Sequence, residues 1–310
     1  MKVDGIFEGG GVRGIGHVGA ICALEEAGYE WARLAGTSAG AIVATLLACG
    51  YTGKELKEIM EELDYKKFIT KTWLHYIPLI GLGLNLLFKN GLYKNDFEEE
   101  WLETLLLKKG IRYFDDLGER KLKIIISDIS NGKMVVLPDD LAEYGLTTKD
   151  ITIANAVRMS GTIPFFFQPI KLKTPTFDYP IFILDGGLLS NFPIWIFDDH
   201  QEWPTFGFRL VEDEITGKPL DDQNPISFYK SIYQTMRQAH DLRHLTREVN
   251  ERTIKIPTGK ISSTDFNLTK KEKQLLYSNG YHAAKRFLNS WDFTKFKRNY
   301  PIEPFCKKPE

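Results

Sequence analysis

The chain has 310 residues, 43% hydrophobic and 26% charged, with Lys+Arg 40 against Asp+Glu 41 and a formal net charge of −1. That length buries a substantial core as one large α/β domain or two small ones, and the composition is that of a soluble globular protein. The even balance excludes a chain-wide attraction to nucleic acid or anionic lipid; three widely spaced cysteines (Cys22, Cys49, Cys306) with no C-x-x-C exclude a disulfide framework and a zinc ribbon.

Val3 to Phe7 reads as a short strand directly after Met1, with no room for a charged and apolar leader, so cytoplasmic residence is expected. It runs into Gly9-Gly10-Gly11-Val12-Arg13-Gly14 and a helix-like segment to Ala27. Successive glycines reach positive φ and turn consecutive N–H groups into one concavity. Acyl transfer needs such donors where a carbonyl oxygen becomes negative, and Arg13 adds positive charge beside them. Gly9-x-Gly11-x-x-Gly14 also fits the dinucleotide fingerprint, but the ribose-binding acid would have to close the second strand, and Glu30 precedes it. That strand, Trp31 to Ala35, ends instead in Gly36-Thr37-Ser38-Ala39-Gly40, followed by an apolar helix to Cys49. G-x-S-x-G at a strand-to-helix turn holds its serine in a strained conformation, hydroxyl clear of the sheet and helix N-terminus beneath it.

Gly53 to Leu63 reads as an amphipathic helix, and the βαβα alternation implies a parallel sheet covered on both faces. Trp73 to Phe88 is the most apolar stretch. It is shorter than the ~20 residues of a membrane-spanning helix and is broken by Pro78, Gly81 and Gly83. It reads either as buried core or as a flap making transient contact with a membrane surface. Asp96 to Lys108 is a helix with acids first and a lysine last, matching its dipole. Leu122 to Ser127 and Lys133 to Leu137 read as strands, and Thr152 to Met159 as a short helix. Pro180 to Leu184 is a short apolar run, with a core strand at Phe182 to Leu184, ending in Asp185-Gly186-Gly187. An acid at the C-terminal end of a buried strand, with two glycines behind it, sits where open α/β sheets place functional groups.

A strand at Phe206 to Val211 precedes a Gly/Pro/Asp-rich loop, 213–225, the candidate domain boundary. A polar helix to about residue 251, a strand at Thr253 to Ile256 and a last helix follow. This part lacks a balanced core of its own. The expectation is therefore a single domain over 1–310, with a catalytic core at 1–205 and a strand-and-helix cover at 206–310. His240-Asp241-Leu242-Arg243-His244 imitates the H-E-x-x-H zinc motif, but Asp is a short substitute for the Glu base and no third ligand follows. No metal and no cofactor are expected. None of His200, His240, His244 and His282 stands in a loop that would aim it at Ser38, and His17 reads as a packing residue.

Together, the glycine-rich loop with a basic residue, the G-x-S-x-G elbow and the late Asp-Gly-Gly resemble the patatin-like phospholipases, serine lipid acyl hydrolases. Further likeness lies in Ala156-Val157-Arg158-Met159-Ser160, Ile163-Pro164, Phe167-Gln168-Pro169, and Asp265-Phe266 with Lys270 to Phe287. The resemblance implies a three-layer α/β/α fold with a mostly parallel central sheet. It implies Ser38 as nucleophile, Asp185 as its base in a Ser–Asp dyad, and an oxyanion hole from Gly10, Gly11 and Arg13. Gly9, Gly14, Gly36, Gly40, Gly186 and Gly187 complete the motifs, and the substrate is a lipid or fatty-acyl ester. Glu8, before the glycines, departs from the family's common pattern. The alternative is a lipid-binding or regulatory module of the same fold without turnover; the intact motifs argue against it.

Overall fold

Strand β1 (Lys2–Phe7) lies inside the sheet, where both faces must be apolar, and all its residues after Lys2 are buried. The computed structural model describes residues 1–69, 90–118, 121–199, 202–212, 231–237 and 246–301. Trp73 to Phe88, the 213–225 loop, His200, His240, His244 and Cys306 lie outside the described residues. β1 is followed by a 3-10 turn (Gly11–Gly14), α1 (Ile15–Glu26), β2 (Glu30–Thr37), α2 (Ala39–Ala48) and α3 (Gly53–Glu62). Then come β3 (Gly91–Tyr93), α4 (Asp96–Lys108), β4 (Lys121–Asp128), β5 (Lys133–Leu137) and α5 (Ile153–Ser160). β6 (Phe165–Phe167), β7 (Ile170–Leu172), β8 (Ile181–Asp185) and β9 (Thr205–Val211) follow. The chain closes with α6 (Arg247–Glu251), β10 (Thr253–Pro257), α7 (Lys270–Ser290) and α8 (Phe293–Asn299).

The main sheet runs β10-β9-β1-β2-β4-β8-β7, with β5 also on β4. Its first five strands are mutually parallel, as helical crossovers require. Helices flank the sheet, so the fold is three-layer α/β/α with a mostly parallel centre. Side chains alternate between the layers: Phe7 and Leu34 enter the larger core with α1 and α2, whereas Ile6 and Ala35 pack with Phe192, Ile194, Phe197 and Val249 on the other face. β9 and β10 join the sheet beside β1. The start of β1 is tied to β2 by Asp4, whose carboxylate accepts from the Arg33 guanidinium at 2.7 Å and from Trp203 Nε1 at 2.8 Å.

β4 organises the site. Along one edge Lys121 to Ile125 pair in parallel with Arg33 to Thr37 of β2. β5 takes the other edge from Ile124 to Asp128. The remaining length of the first edge therefore receives β8, antiparallel, with Ile126 opposite Asp185. β2 and β8 approach from opposite directions and stop at neighbouring residues of β4.

The sequence pattern leaves out the small parallel pair β3–β6, strand β7 and helix α8, all short, and it runs the first helix through the 3-10 turn. Helix α1 is apolar all round because it is covered all round, by the sheet on one side and α7 on the other. Glycines let the two helix backbones meet. A Cβ at Gly19 would lie 1.9 Å from the Tyr277 carbonyl oxygen, and one at Gly280 1.9 Å from that of Gly16. Gly280→Ala should therefore cost about 1–3 kcal/mol of stability by forcing the helices apart. Ala at Gly110, where a Cβ would meet nothing within 4 Å, pays only for its positive φ, about 1 kcal/mol. Urea denaturation midpoints of the two variants check the contrast.

Candidate active site

Ser38 follows β2 directly, with φ 53° and ψ −124°, a left-handed conformation unusual for any residue with a side chain. The flanking glycines are required by space: a Cβ at Gly36 would come 2.3 Å from the Gly40 carbonyl oxygen, and one at Gly40 2.1 Å from that of Phe7. The Ser38 N–H donates to Ser160 Oγ at 2.8 Å, and that hydroxyl donates to the Ile125 carbonyl at 2.6 Å. α2 starts immediately beyond, so the N-terminal ends of its peptide dipoles face the serine.

Asp185 ends β8 on the neighbouring position of β4 and is 1% exposed. Its backbone is held from both sides: its N–H donates to the Thr162 carbonyl at 2.8 Å, and its carbonyl accepts from Ser127 Oγ at 2.9 Å. Gly186 lets the chain pass the Ile125 carbonyl, which a Cβ would meet at 2.2 Å. Oδ1 accepts the Gly187 N–H at 2.6 Å, whereas Oδ2 closes no hydrogen bond among the described residues. The Ser38 and Tyr233 hydroxyls both act on the carboxylate. Burial pushes the Asp185 carboxyl above the usual carboxylate range, with Arg237, Ser38, Gly187 and Tyr233 working in the opposite direction.

The glycine-rich loop lies against Ser38. A Cβ at Gly9 would fall 2.4 Å from Asn191 Oδ1 and 3.2 Å from Ser38 Cβ. Gly11 has φ +57°, and a Cβ there would strike the Ser263 carbonyl oxygen at 2.0 Å. The N–H groups of Gly9, Val12 and Arg13 are used within the fold, on the carbonyls of Asn191, Ser263 and Gly10. Those of Gly10 and Gly11 close no hydrogen bond among the described residues. Gly14 supports the turn by lying against Ala39 Cβ.

Arg13 is buried, and its guanidinium is occupied: Nε donates to the Gly10 carbonyl at 3.2 Å and Nη1 pairs with Glu212. Burial pulls its pKa below the usual arginine value, against the pairing with Glu212. Glu8 bridges the loop to its neighbours, accepting from Asn191 Nδ2 at 3.0 Å and from the Leu210 N–H at 2.6 Å. His17, fully buried beneath the loop, contacts the Glu8 carbonyl through Nε2 at 2.9 Å; burial lowers its pKa to about 4, so the ring is neutral.

Ser38 and Gly11 open onto a half-open cavity whose empty space, counting the part open to solvent, is about 520 Å³ and whose other walls include Ile42, Leu63, Phe68, Ile163, Phe167 and Phe266. Phe167 lines this cavity and its neighbour Phe166 stacks on Phe266 at 5.4 Å, while Phe165 is exposed with φ 65°.

Sequence reasoning names Ser160 without giving it a role and misses Tyr233 and Arg237. Tyr233 and Arg237 are four residues apart in the helix at 231–237, hence on one helical face. Arg237 Nη2 donates to the Gly9 carbonyl at 2.9 Å. Ser160→Ala would orphan a buried N–H and a buried carbonyl together. The expected cost is about 1–3 kcal/mol, read as a lowered denaturation midpoint, with slower turnover of any ester that uses Ser38.

The family model for patatin-like phospholipase matches residues 5–198. The chain is 42% identical over 294 residues to the uncharacterized protein YqhO of Bacillus subtilis (strain 168), spanning 94% of this chain and 100% of that protein. It is 30% identical over 198 residues to the probable lipid hydrolase 463L of Invertebrate iridescent virus 6, covering 61% of each. VipD from Legionella pneumophila has a similar fold, with a TM-score of 0.58 at 19% identity over 93% of this chain and 67% of that one. No helix among the described residues is long and apolar enough to cross a membrane. By the extent of the family match, this chain belongs to the patatin-like phospholipase family.

Proposed function

We propose that the protein hydrolyses carboxylic esters of lipids through a Ser38–Asp185 dyad and an acyl-enzyme. The observation that carries this reading is the meeting of a strained serine and a buried carboxylate at adjacent positions of β4, with an apolar cavity beside the serine. Ser38 Oγ attacks the ester carbonyl carbon while Asp185 takes its proton. The oxygen of the tetrahedral intermediate becomes negative and is held by the Gly10 and Gly11 N–H groups, aided by the N-terminus of α2. When the carbon–oxygen bond of the leaving alcohol breaks, Asp185 returns the proton to that oxygen. Water then repeats the sequence on the acyl-enzyme, releasing the fatty acid and restoring Ser38.

A carboxylate is a weak base toward an alcohol, and burial of Asp185 raises its proton affinity toward what the reaction needs. The apolar walls suit a fatty-acyl chain, which gains about 0.8 kcal/mol per buried CH₂. The description of the viral relative as a lipid hydrolase supports the same substrate class. On this reading the apolar sequence of residues 73–88 brings the protein to lipid at a membrane surface.

Ser38→Ala and Asp185→Asn should each reduce hydrolysis of a long-chain p-nitrophenyl ester by at least about a thousandfold, with unchanged circular dichroism. A serine-directed phosphonate should label Ser38 alone. Full activity in Ser38→Ala refutes the assignment, and an inactive wild type that still binds fatty-acyl ligands favours the non-catalytic module. Wild-type activity should rise with pH as the Asp185 carboxyl ionises, with the midpoint above the ordinary range for aspartate because burial raises its pKa. Arg13 supports the donors by holding the Gly10 carbonyl and Glu212. Arg13→Met should therefore lower kcat more than it raises KM, measured by steady-state kinetics on the same ester.

A further inference from the structure

The cavity beside Ser38 has one acidic group in its otherwise largely apolar wall, Glu98 of α4. Glu98 is 4% exposed. Its carboxyl lies against the backbone of Gly161, where a Cβ would come within 2.8 Å of Oε1 and 3.0 Å of Oε2. The first turn of α4 carries three acids, Asp96, Glu98 and Glu99. Arg158, across on α5, serves two of them, at 2.5 Å from Asp96 Oδ1 and 2.8 Å from Glu99 Oε2, and donates to Asn95 Oδ1 at 3.2 Å. No ion pair to Glu98 occurs among the described residues.

The groups acting on Glu98 are Asp185 from β8 and Glu99 from its own helix, which oppose its ionisation, and Arg158 and Asn95, which favour it. Burial dominates and raises its pKa to about 8, so at neutral pH the carboxyl is mainly protonated and a hydrogen-bond donor. A second polar group belongs to the same wall. Tyr65 lines the cavity at 7% exposure, and its hydroxyl has no hydrogen-bond partner among the described residues. Asn95 already acts on Glu98 as a hydrogen-bond partner. An acyl chain alone, however, leaves the Glu98 proton unused and gives the Tyr65 hydroxyl nothing to bind, and a buried polar group without a partner is costly.

We propose that Glu98, with Tyr65, makes the cavity selective for lipid esters that carry a free hydroxyl beyond the scissile ester. Glu98 donates its carboxyl proton to that hydroxyl oxygen. The hydroxyl belongs either to the glycerol of a monoacylated lipid or to the acyl chain itself; the recognising chemistry is the same. The inference rests on the ester-hydrolase reading of Ser38 and deepens it.

Two matched substrate pairs distinguish the sources: monododecanoylglycerol against propyl dodecanoate, and p-nitrophenyl ω-hydroxydodecanoate against p-nitrophenyl dodecanoate. Wild type should favour the hydroxylated member of one pair by about tenfold or more in kcat/KM, and the pair that responds identifies where the hydroxyl sits. Glu98→Leu should lose the preference, Glu98→Gln should keep it, and Tyr65→Phe should weaken it. The wild-type preference should fall as pH passes about 8, while that of Glu98→Gln, which cannot ionise, should not. No preference in either pair, or one that survives Glu98→Leu, overturns the proposal. Calorimetric binding of the matching ethers, monododecylglycerol and dodecyl propyl ether, to Ser38→Ala protein reads recognition without turnover. If Ser38→Ala retains full activity, the dyad reading falls, and this binding comparison still decides for or against Glu98.

Discussion

The arrangement rests on the Ile125 carbonyl and the stretch of β4 edge around it. One strand arrives there from each direction, and neither can continue. The carbonyl accepts from Ser160 Oγ, which in turn receives the Ser38 N–H, and Gly186 passes close over it. A single backbone oxygen thus sets the height of both the serine turn and the aspartate turn above the sheet. Hydrogen-bond ladders fix such positions far more tightly than side-chain packing does, because each register step is all-or-none. The position of Ser38 and Asp185 is accordingly a property of the sheet, and the loops that follow inherit it.

Holding this geometry has costs, and the structure offsets them locally. The left-handed φ of Ser38 is imposed by ladder bonds before it and a helix after it. Gly9, Gly10 and Gly11, which have no side chains with which to pack, are tethered through their neighbours instead. Glu8 takes donors from Asn191 and Leu210, Arg13 grips the Gly10 carbonyl, and Arg237 grips that of Gly9. These ties bring parts of the chain that are distant in sequence onto one loop. Buried charges of this kind contribute little net stability, since desolvation cancels much of their attraction; here they restrict where the loop can lie.

How far the sequence foretold this differs by residue for physical reasons. The Ser38 turn was legible because its constraints are local: a strand, a helix and glycines at fixed offsets. Asp185 was legible as a strand-end acid, yet the antiparallel entry of β8 was not, since strand direction depends on edge competition at β4. The partner of Arg13, Glu212, lies 199 residues away and leaves no spacing signature. Ser160 reads as an ordinary small residue near a helix end, and Glu98 as a helix-dipole acid like its neighbours Asp96 and Glu99. Only the third dimension separates the acids that meet Arg158 from the one that meets the cavity. The all-round apolar α1 is legible as a helix, but the reason for its pattern, a glycine-lined approach of α7 from the far end of the chain, lies outside any local window.

The head-to-head ending of β2 and β8 divides the chain into parts that tolerate change of length very differently. Between the two strands, Ser38 and Asp185 are held directly by Ser160 and Thr162 at the C-terminal end of α5 and by Ser127 of β4, inside the sheet. A surface connection there can grow or shrink at a small entropic cost while the serine and the carboxylate stay where they are. Within the strands the reverse holds. One residue inserted in β8 would turn its side chains to the opposite face of the sheet and carry the carboxylate about 3.3 Å along the edge. Over long divergence, a lineage built on this seam is free to rework its covering loops, and with them what it admits, while the two strand lengths remain its invariant measure.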